Sequence, residues 1–508
     1  MISRRSLIRT GAGAGAAAAL AATGSTAVLA GAGTASAVPA WDSLSSGFDG
    51  TLVLPGSPGY DQAVQLHKAQ FDAVHPQAVA YCTSAADIAA CIRFSQDYSV
   101  PSAVRSGGHS NAGYSTTPGL IIDTSRLNSV RASGSTVRLG PGAQGIDIVS
   151  TLSALGLQAP TGTCPTVAMG GWLQGGGVGP AARKHGLGAD RLVSAKVVLA
   201  SGRTVTASAT QNADLYWALR GGGGGNFGVV TEYEIRPVQT PVVSLFNLAF
   251  DWADAVDLVQ AWQARLAVAP RELDTHLFVT WPTDAGGTPS VVVGGSYLGT
   301  KAAADAELDK LLTALGRPAK SRQCTELGYQ QAMMTLFGCA DKTVPECHRI
   351  GYSPEAVLPR EYNATYRHVL AGTAYSRTAI QDLLARMEHQ VRAKQFRFIG
   401  LFAFGGRIND AAKSSTAYVH RDTLFEIGMQ IALTTQTPSD DDKAAGAAWI
   451  NGTFDTAEPH SNHEIYQNFM DPAVTNWREA YYGSNHTRLQ SVKRTYDPYR
   501  FFSFAQAI

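Results

Sequence analysis

Over residues 78–235 apolar and polar positions alternate in short blocks. Ala78-Val79-Ala80-Tyr81, Leu120-Ile121-Ile122-Asp123 and Thr136-Val137-Arg138-Leu139 read as strands, and Gly140-Pro141-Gly142 stops the last one. Ser84 is placed to cap a helix over residues 85–98, whose Ile88, Cys91, Ile92 and Ser95 recur at helical spacing. Residues 147–155 form a second predicted helix, ended by Gly156. Residues 194–200 and 203–207 flank Ser201-Gly202 as a hairpin. A short helix over 214–220 and a strand over 227–235 follow.

The middle of the chain has a different rhythm. Residues 254–268 are amphipathic, with Val256, Val259, Trp262 and Leu266 on one side. Strands are predicted at 277–281, 290–297 and 396–404. Helices are predicted at 302–315, stopped by Gly316 and Pro318, and at 379–394. Strands grouped with helices on one face predict an α+β domain over residues 241–460. An aromatic-rich tail, residues 461–508, follows it.

Composition narrows the function. The 508 residues are 45% hydrophobic, and 41 Lys plus Arg against 40 Asp plus Glu leave a net charge of +1. That balance excludes the basic surface of a nucleic-acid binder and the high charge of a disordered chain. The N-terminus reads as a targeting segment over residues 1–37. Ser3-Arg4-Arg5-Ser6-Leu7-Ile8 is a twin-arginine pattern, an Ala/Gly-rich run follows, and Ala35-Ser36-Ala37 is a cleavage site. That route exports folded proteins, so it predicts a secreted protein that loads a cofactor before export. Gly11 to Ala16 resembles part of a dinucleotide fingerprint, but no strand precedes it. None of the six cysteines, Cys82, Cys91, Cys164, Cys324, Cys339 and Cys347, has C-x-x-C spacing, which argues against a zinc or thioredoxin-like site. Cys339 and Cys347 are near enough in sequence to pair, and buried free thiols are the alternative.

Three glycine-rich stretches carry the candidate chemistry. Val104-Arg105-Ser106-Gly107-Gly108-His109-Ser110 brings backbone amides close to an anion, with a His directly after the turn. Residues 162–179, starting Gly162-Thr163-Cys164-Pro165-Thr166-Val167, hold too many glycines for a stable helix or regular strand and suit a backbone wrapping a flat ligand. Arg220 precedes five consecutive glycines, Gly221 to Gly225, then Asn226-Phe227-Gly228-Val229-Val230. No Gly-Lys-Ser/Thr follows, so a Walker motif is excluded.

Together the stretches resemble the berberine-bridge-enzyme-like flavoproteins of the vanillyl-alcohol-oxidase and p-cresol-methylhydroxylase superfamily. The R-x-G-G-H element is Arg105 to His109, the G-x-C-P-T-V-x-x-G-G element is Gly162 to Gly171, and W-A-x-R-G-G-G-G-N-F-G-V-V matches Trp217 to Val230. The tail matches at Tyr466-Gln467-Asn468-Phe469-Met470-Asp471, Tyr481 to Asn485 and Tyr496-Asp497-Pro498. The resemblance implies an α+β fold, with a two-part FAD-binding domain of the p-cresol-methylhydroxylase type and an α+β substrate domain on an antiparallel sheet. The FAD part comprises residues 38–240 plus the returning tail.

It further implies FAD attached bicovalently, His109 to the 8-methyl carbon and Cys164 to the 6-position. Further cofactor contacts are implied for Arg105, Ser106, Gly107, Gly108, Ser110, Gly113, Thr163, Val167, Gly170, Gly171, Gly175, Gly176, Gly177, Gly179, Gly228, Val230, Asn468 and Asn485. Tyr466 holds the place of the catalytic base, with Tyr366, Tyr375 and His463 as further candidates. Val167 lies where a small side chain leaves O2 room at the flavin edge. The chain departs from the family at Trp172, where many relatives have His, and at Asn111, where some sugar oxidases have Tyr. The expected function is a secreted oxidase that takes hydride from a C–H next to O or N of a small molecule and passes electrons to O2. A flavin dehydrogenase and a flavoprotein that sequesters an aromatic metabolite are the alternatives. No metal and no nucleic acid are expected, no membrane contact after signal removal, and a monomer or simple homo-oligomer.

Overall fold

Aliphatic and β-branched runs form the first two sheets. The computed structural model describes residues 39–282, 286–435 and 437–508; the targeting segment at 1–37 lies outside the described residues. The first sheet contains β1 (Thr51–Val53) and β2 (Ala78–Tyr81). Helix α1 (Ala85–Asp97) follows, then β3 (Ser102–Arg105) and β4 (Leu120–Asp123). Its order is β1-β2-β4-β3, with β2, β4 and β3 parallel. Ser84 and Asp87 form a reciprocal capping box at the start of α1, a device that contributes about 1 kcal/mol.

The second sheet contains β5 (Val130–Ser133) and β6 (Thr136–Leu139). Helices α2 (Gly145–Ser153) and α3 (Met169–Gln174) come next. Strands β7 (Leu192–Val198), β8 (Thr204–Ser208) and β9 (Val229–Ile235) complete it in the order β5-β6-β9-β7-β8. Helix α3 corrects the expectation that residues 162–179 hold no helix. Its helicity comes from packing: Met169, Gly170, Trp172, Leu173 and Gln174 are all buried, and burial outweighs glycine's poor propensity over so short a segment.

The third sheet is antiparallel throughout and has seven strands. It starts with β10 (Val243–Phe250), α4 (Ala255–Leu266), β11 (Leu273–Trp281) and β12 (Ser290–Tyr297). Next come α5 (Lys301–Leu315), β13 (Ser321–Leu327), β14 (Ala364–Ala371) and α6 (Arg377–Ala385). Strands β15 (Gln395–Ala403) and β16 (Phe425–Leu433) and helix α7 (Asp440–Ala457) close it. The strand order is β13-β10-β12-β11-β15-β16-β14. Alternate residues such as Leu277, Val279, Ile399, Leu401, Ile427 and Met429 form one core with Val259, Trp262, Leu308, Ile380 and Trp449 of the helices. Each such side chain contributes about 1.5–3 kcal/mol on burial.

Helix α6 ends well before residue 394. Buried Arg397 takes the carbonyls of Met387, His389 and Gln390 at 3.2, 2.7 and 2.8 Å, so those groups are satisfied without a further helical turn. Cys339 and Cys347 are disulfide-bonded, which settles the alternative left open by their spacing. Among the described residues no helix is long and apolar enough to cross a membrane.

Candidate active site

Glycine contacts bring the first two motifs together. A Cβ at Gly107 would lie 2.8 Å from the Ala168 amide nitrogen, and one at Gly170 would lie 2.6 Å from Ser106 Oγ. Neither position tolerates a side chain, so the turn after β3 lies directly against the segment leading into α3. Arg105 anchors that turn by pairing with Asp123 opposite it on β4. Gly108 then takes a left-handed φ of +69°, and His109 follows.

One hydroxyl stands between the two predicted attachment residues. His109 Nε2 is 2.9 Å from Thr166 Oγ1, and the same oxygen is 3.8 Å from Cys164 Sγ. Burial, then neighbouring His67, Arg349 and Lys68, holds the His109 pKa well below the ordinary imidazole range. Its ring is therefore neutral at pH 7. Burial pushes the Cys164 thiol up, against hydrogen bonds from Thr166 and Val167 that favour the thiolate. Thr166 was not singled out from sequence; its place in Cys164-Pro165-Thr166 was the available signal.

Tyr466 is buried on the far side of the second motif. Its hydroxyl oxygen accepts from the amides of Gly177 and Val178 at 2.9 and 3.3 Å, and from Asn468 Nδ2 at 2.7 Å. Burial raises its pKa above the ordinary phenol range, and these three donors offset only part of that rise. Gly176 and Gly177 have φ of +124° and +80°, which only glycine adopts readily, and this turns the Gly177 and Val178 amides toward the phenol.

The face of the third sheet away from the helices carries polar and aromatic groups. His368 Nδ1 lies 2.6 Å from Glu426 Oε1, and the His368 ring stacks on Phe469 at 4.4 Å. Phe469 meets Tyr466 edge-on at 5.2 Å. One strand further on, Phe278, Phe398 and Phe402 cluster with centroids 5.0–6.3 Å apart. Gly400 and Gly428 pair across the strands among them. Near Cys164, Tyr366 hydrogen-bonds Glu361 while Lys68 sits 4.2 Å above its ring. Burial lowers the Lys68 pKa to about 8.

Where the motifs meet, the backbone leaves open space beside Gly171, which fits a flat cofactor lying against it. Gly171, in the first turn of α3, has nothing within 4 Å of an added Cβ, and a Cβ at Gly224 would first meet Gly171 Cα at 3.4 Å. Arg105 Nη1, on β3 just before the first glycine turn, is buried without a hydrogen-bond partner. Residues 76–208 match the model of an FAD binding domain, and residues 465–508 match the one described as berberine and berberine like. The chain belongs to the berberine-bridge-enzyme-like FAD-linked oxidoreductases.

Relatives of this family align along most of the chain. An uncharacterised FAD-linked oxidoreductase of Bacillus subtilis, YgaK, is 28% identical over 470 residues, covering 90% of this chain and 96% of the relative. A chitooligosaccharide oxidase of Gibberella zeae is 29% identical over 452 residues, covering 85% and 87%. The solved structure of glucooligosaccharide oxidase from Acremonium strictum, described as holding 6-S-cysteinyl, 8α-N1-histidyl FAD, superposes with a TM-score of 0.80 at 25% identity. That match covers 92% of this chain and 98% of that one.

Against this berberine-bridge-enzyme-like frame, the predicted site residues fall into groups. His109, Cys164 and Gly107 converge on Thr166, while Gly108 lies against Leu66 and Gly171 faces open space. Ser106 packs on Gly170, Ser110 Oγ accepts from the Tyr114 amide, and Gly113 packs on Phe71. Thr163 is exposed beside Cys164, and Val167 lies half-buried against the second core. Gly175, Gly176 and Gly177 meet Asn468, Tyr418 and Trp172, and Gly179 lies against Thr161.

Others have purely structural partners. Asn485 Nδ2 bonds the carbonyls of Lys413 and Thr416, Val230 is buried in β9, and Gly228 lets β9 pass Val197. The Tyr375 hydroxyl donates to Ala457 O at 2.6 Å, within the core on the helix side of the sheet. His463 is exposed and pairs with Glu458. The Tyr466 hydroxyl has neither of them among its partners, which are Gly177, Val178 and Asn468, whereas Tyr366 is near Cys164. His67, Lys68, Glu361, His368 and Glu426 were missed because they come together only through the fold.

Proposed function

We propose that this enzyme is an FAD oxidase whose flavin is held by covalent bonds to His109 and Cys164. It oxidises a C–H next to oxygen or nitrogen of a sugar, glycosylated or aromatic metabolite, with O2 as acceptor and H2O2 as product. When bound, FAD supplies hydride acceptance at N5 and electron transfer to O2. The observation that carries the reading is the convergence of three N–H donors on Tyr466. A phenol oxygen offers two lone pairs and a phenolate three, so the three donors favour the phenolate against the burial that opposes it. Tyr466 takes the proton of the substrate hydroxyl as the adjacent C–H is oxidised. Asn468 positions Tyr466.

Several features support the rest. The Acremonium neighbour holds a doubly linked flavin, and the Gibberella relative is a chitooligosaccharide oxidase. The Phe278, Phe398 and Phe402 patch suits a flat apolar body or the C–H face of a sugar. Val167, one methylene smaller than Leu, leaves space for O2. We assign residues 38–240 with the tail 461–508 to FAD, residues 241–460 to substrate, and residues 1–37 to twin-arginine secretion.

The test is an anaerobic panel of cellobiose, chitooligosaccharides, aryl glucosides and 4-hydroxybenzyl alcohol, followed by flavin absorbance. A substrate should bleach the flavin, and air should restore the colour with release of peroxide. Bleaching without peroxide in air would make the protein a dehydrogenase. A ligand recovered unchanged from a tight complex would make it a binding protein.

A further inference from the structure

The two attachment residues lie 55 positions apart in the chain, yet both reach one buried hydroxyl. A threonine hydroxyl has one proton to donate and two lone pairs to accept with. It can therefore serve both neighbours at once, provided their roles are opposite. If His109 Nε2 carries the ring proton, it donates to Thr166 Oγ1, and Nδ1 keeps the free lone pair. The Thr166 proton then points to Cys164 Sγ, where it favours the thiolate. The reverse arrangement uses the hydroxyl proton on Nε2, protonates Nδ1 and takes the hydroxyl donor away from the sulfur, leaving it only backbone amides. Only the first arrangement makes both side chains nucleophilic.

We propose that Thr166 is the positioning residue for covalent flavin attachment, coupling the His109 and Cys164 links through its single hydroxyl. This rests on the two-link reading above. Each link replaces one flavin C–H with a C–N or C–S bond. The nucleophile supplies the electron pair, the carbon loses its hydrogen as a proton, and the N–H or S–H proton is released. The two electrons left over pass to O2, which leaves as one H2O2 per link. Thr166 does not touch the reacting carbon. It fixes the imidazole tautomer, accepts from an Nε2–H that becomes more acidic as Nδ1 is alkylated, and supports the thiolate.

The surroundings agree with that division. His67 stacks on His109 at 4.2 Å, and Lys68, Arg349 and Arg360 lie nearby, so the imidazole stays neutral and needs no deprotonation before attack. Cys164 is buried and needs its hydrogen bonds to ionise. The sulfur link therefore depends more strongly on Thr166.

The test compares holoenzyme of wild type, Thr166→Val and Thr166→Ser. Covalent flavin is read from acid-precipitated protein, and the linked peptides containing His109 and Cys164 are counted by mass spectrometry. Thr166→Ser should retain both links. In Thr166→Val the Cys164 link should form at least about tenfold more slowly, the factor one charge-assisted hydrogen bond supplies, and the His109 link should lag. Thr166→Ala is the second variant should the valine protein not fold. Complete double attachment at the wild-type rate in a hydroxyl-free variant overturns the inference. Wild-type protein that releases all its flavin on denaturation overturns the two-link reading itself.

Discussion

The imidazole of His67 stacks on that of His109, with ring centroids 4.2 Å apart and planes 23° from parallel. Two imidazoles in such contact cannot both be charged at low cost, and burial with nearby cations disfavours even one charge. His67 has its pKa lowered to about 4, mainly by burial. The relationship keeps the His109 ring neutral over the whole physiological range.

Acid stability follows from the same physics. His67, His185 and His276 each have a folded pKa of about 4, below the unfolded value of 6.5. Their contribution is complete above pH 6.5 and is lost as pH falls toward 4, because the unfolded chain takes up protons first. Asp274, raised to about 7 by burial, acts in the opposite sense and loses stability as pH rises from its unfolded value of 3.8 toward 7. His109 and His486 add to the three histidines in the same sense, and His348, whose pKa is raised, joins Asp274 against them, which leaves a net loss on acidification from pH 6.5 to 4. Thermal melts of the holoenzyme should show the melting temperature falling across this window. A melting temperature that rises between pH 6.5 and 5 would contradict the balance.

Tyr466→Phe removes the hydroxyl and keeps the ring. With an alcohol substrate under anaerobic conditions, flavin reduction should slow by roughly 10²–10⁴-fold, the range for a lost general base. Flavin content should be unchanged. Wild-type reduction should quicken as pH rises, because the active form is deprotonated. Asn468→Leu should produce a smaller slowing in the same direction. Normal bleaching by Tyr466→Phe would pass the role to another residue, with Tyr366 next in position.

Val167→Leu adds one methylene at the half-buried position beside the Cys164 segment. Stopped-flow traces should show slower reoxidation in air with unchanged reduction by substrate. Equal reoxidation rates in the two proteins would remove Val167 from control of O2.

Much of this architecture was legible because local signals agreed with burial. Ser84 caps its helix, the 120–123 run is a fully buried strand, and Val259, Trp262 and Leu266 face the core. The three motifs and the tyrosine of the tail were legible as distinctive segments, and the fold brings them into contact. Helix α3 was not, because its stability lies in contacts such as Gly170 against Ser106, made by a segment 64 positions away. Strands β14 and β16 were passed over, since His368 and Glu426 interrupt their apolar pattern and pair only after folding. Thr166 was hidden in plain view: a hydroxyl between two reactive side chains has no period or spacing to mark it.

The central claim is that His109 and Cys164 both bind the flavin. The most direct measurement is peptide mass mapping of acid-denatured wild type, His109→Ala, Cys164→Ala and the double variant. Wild type should yield one flavin joining the His109 and Cys164 peptides, each single variant should keep one link, and the double variant should release free FAD. Flavin recovered free from denatured wild-type protein, or attached to any other residue, would contradict the account.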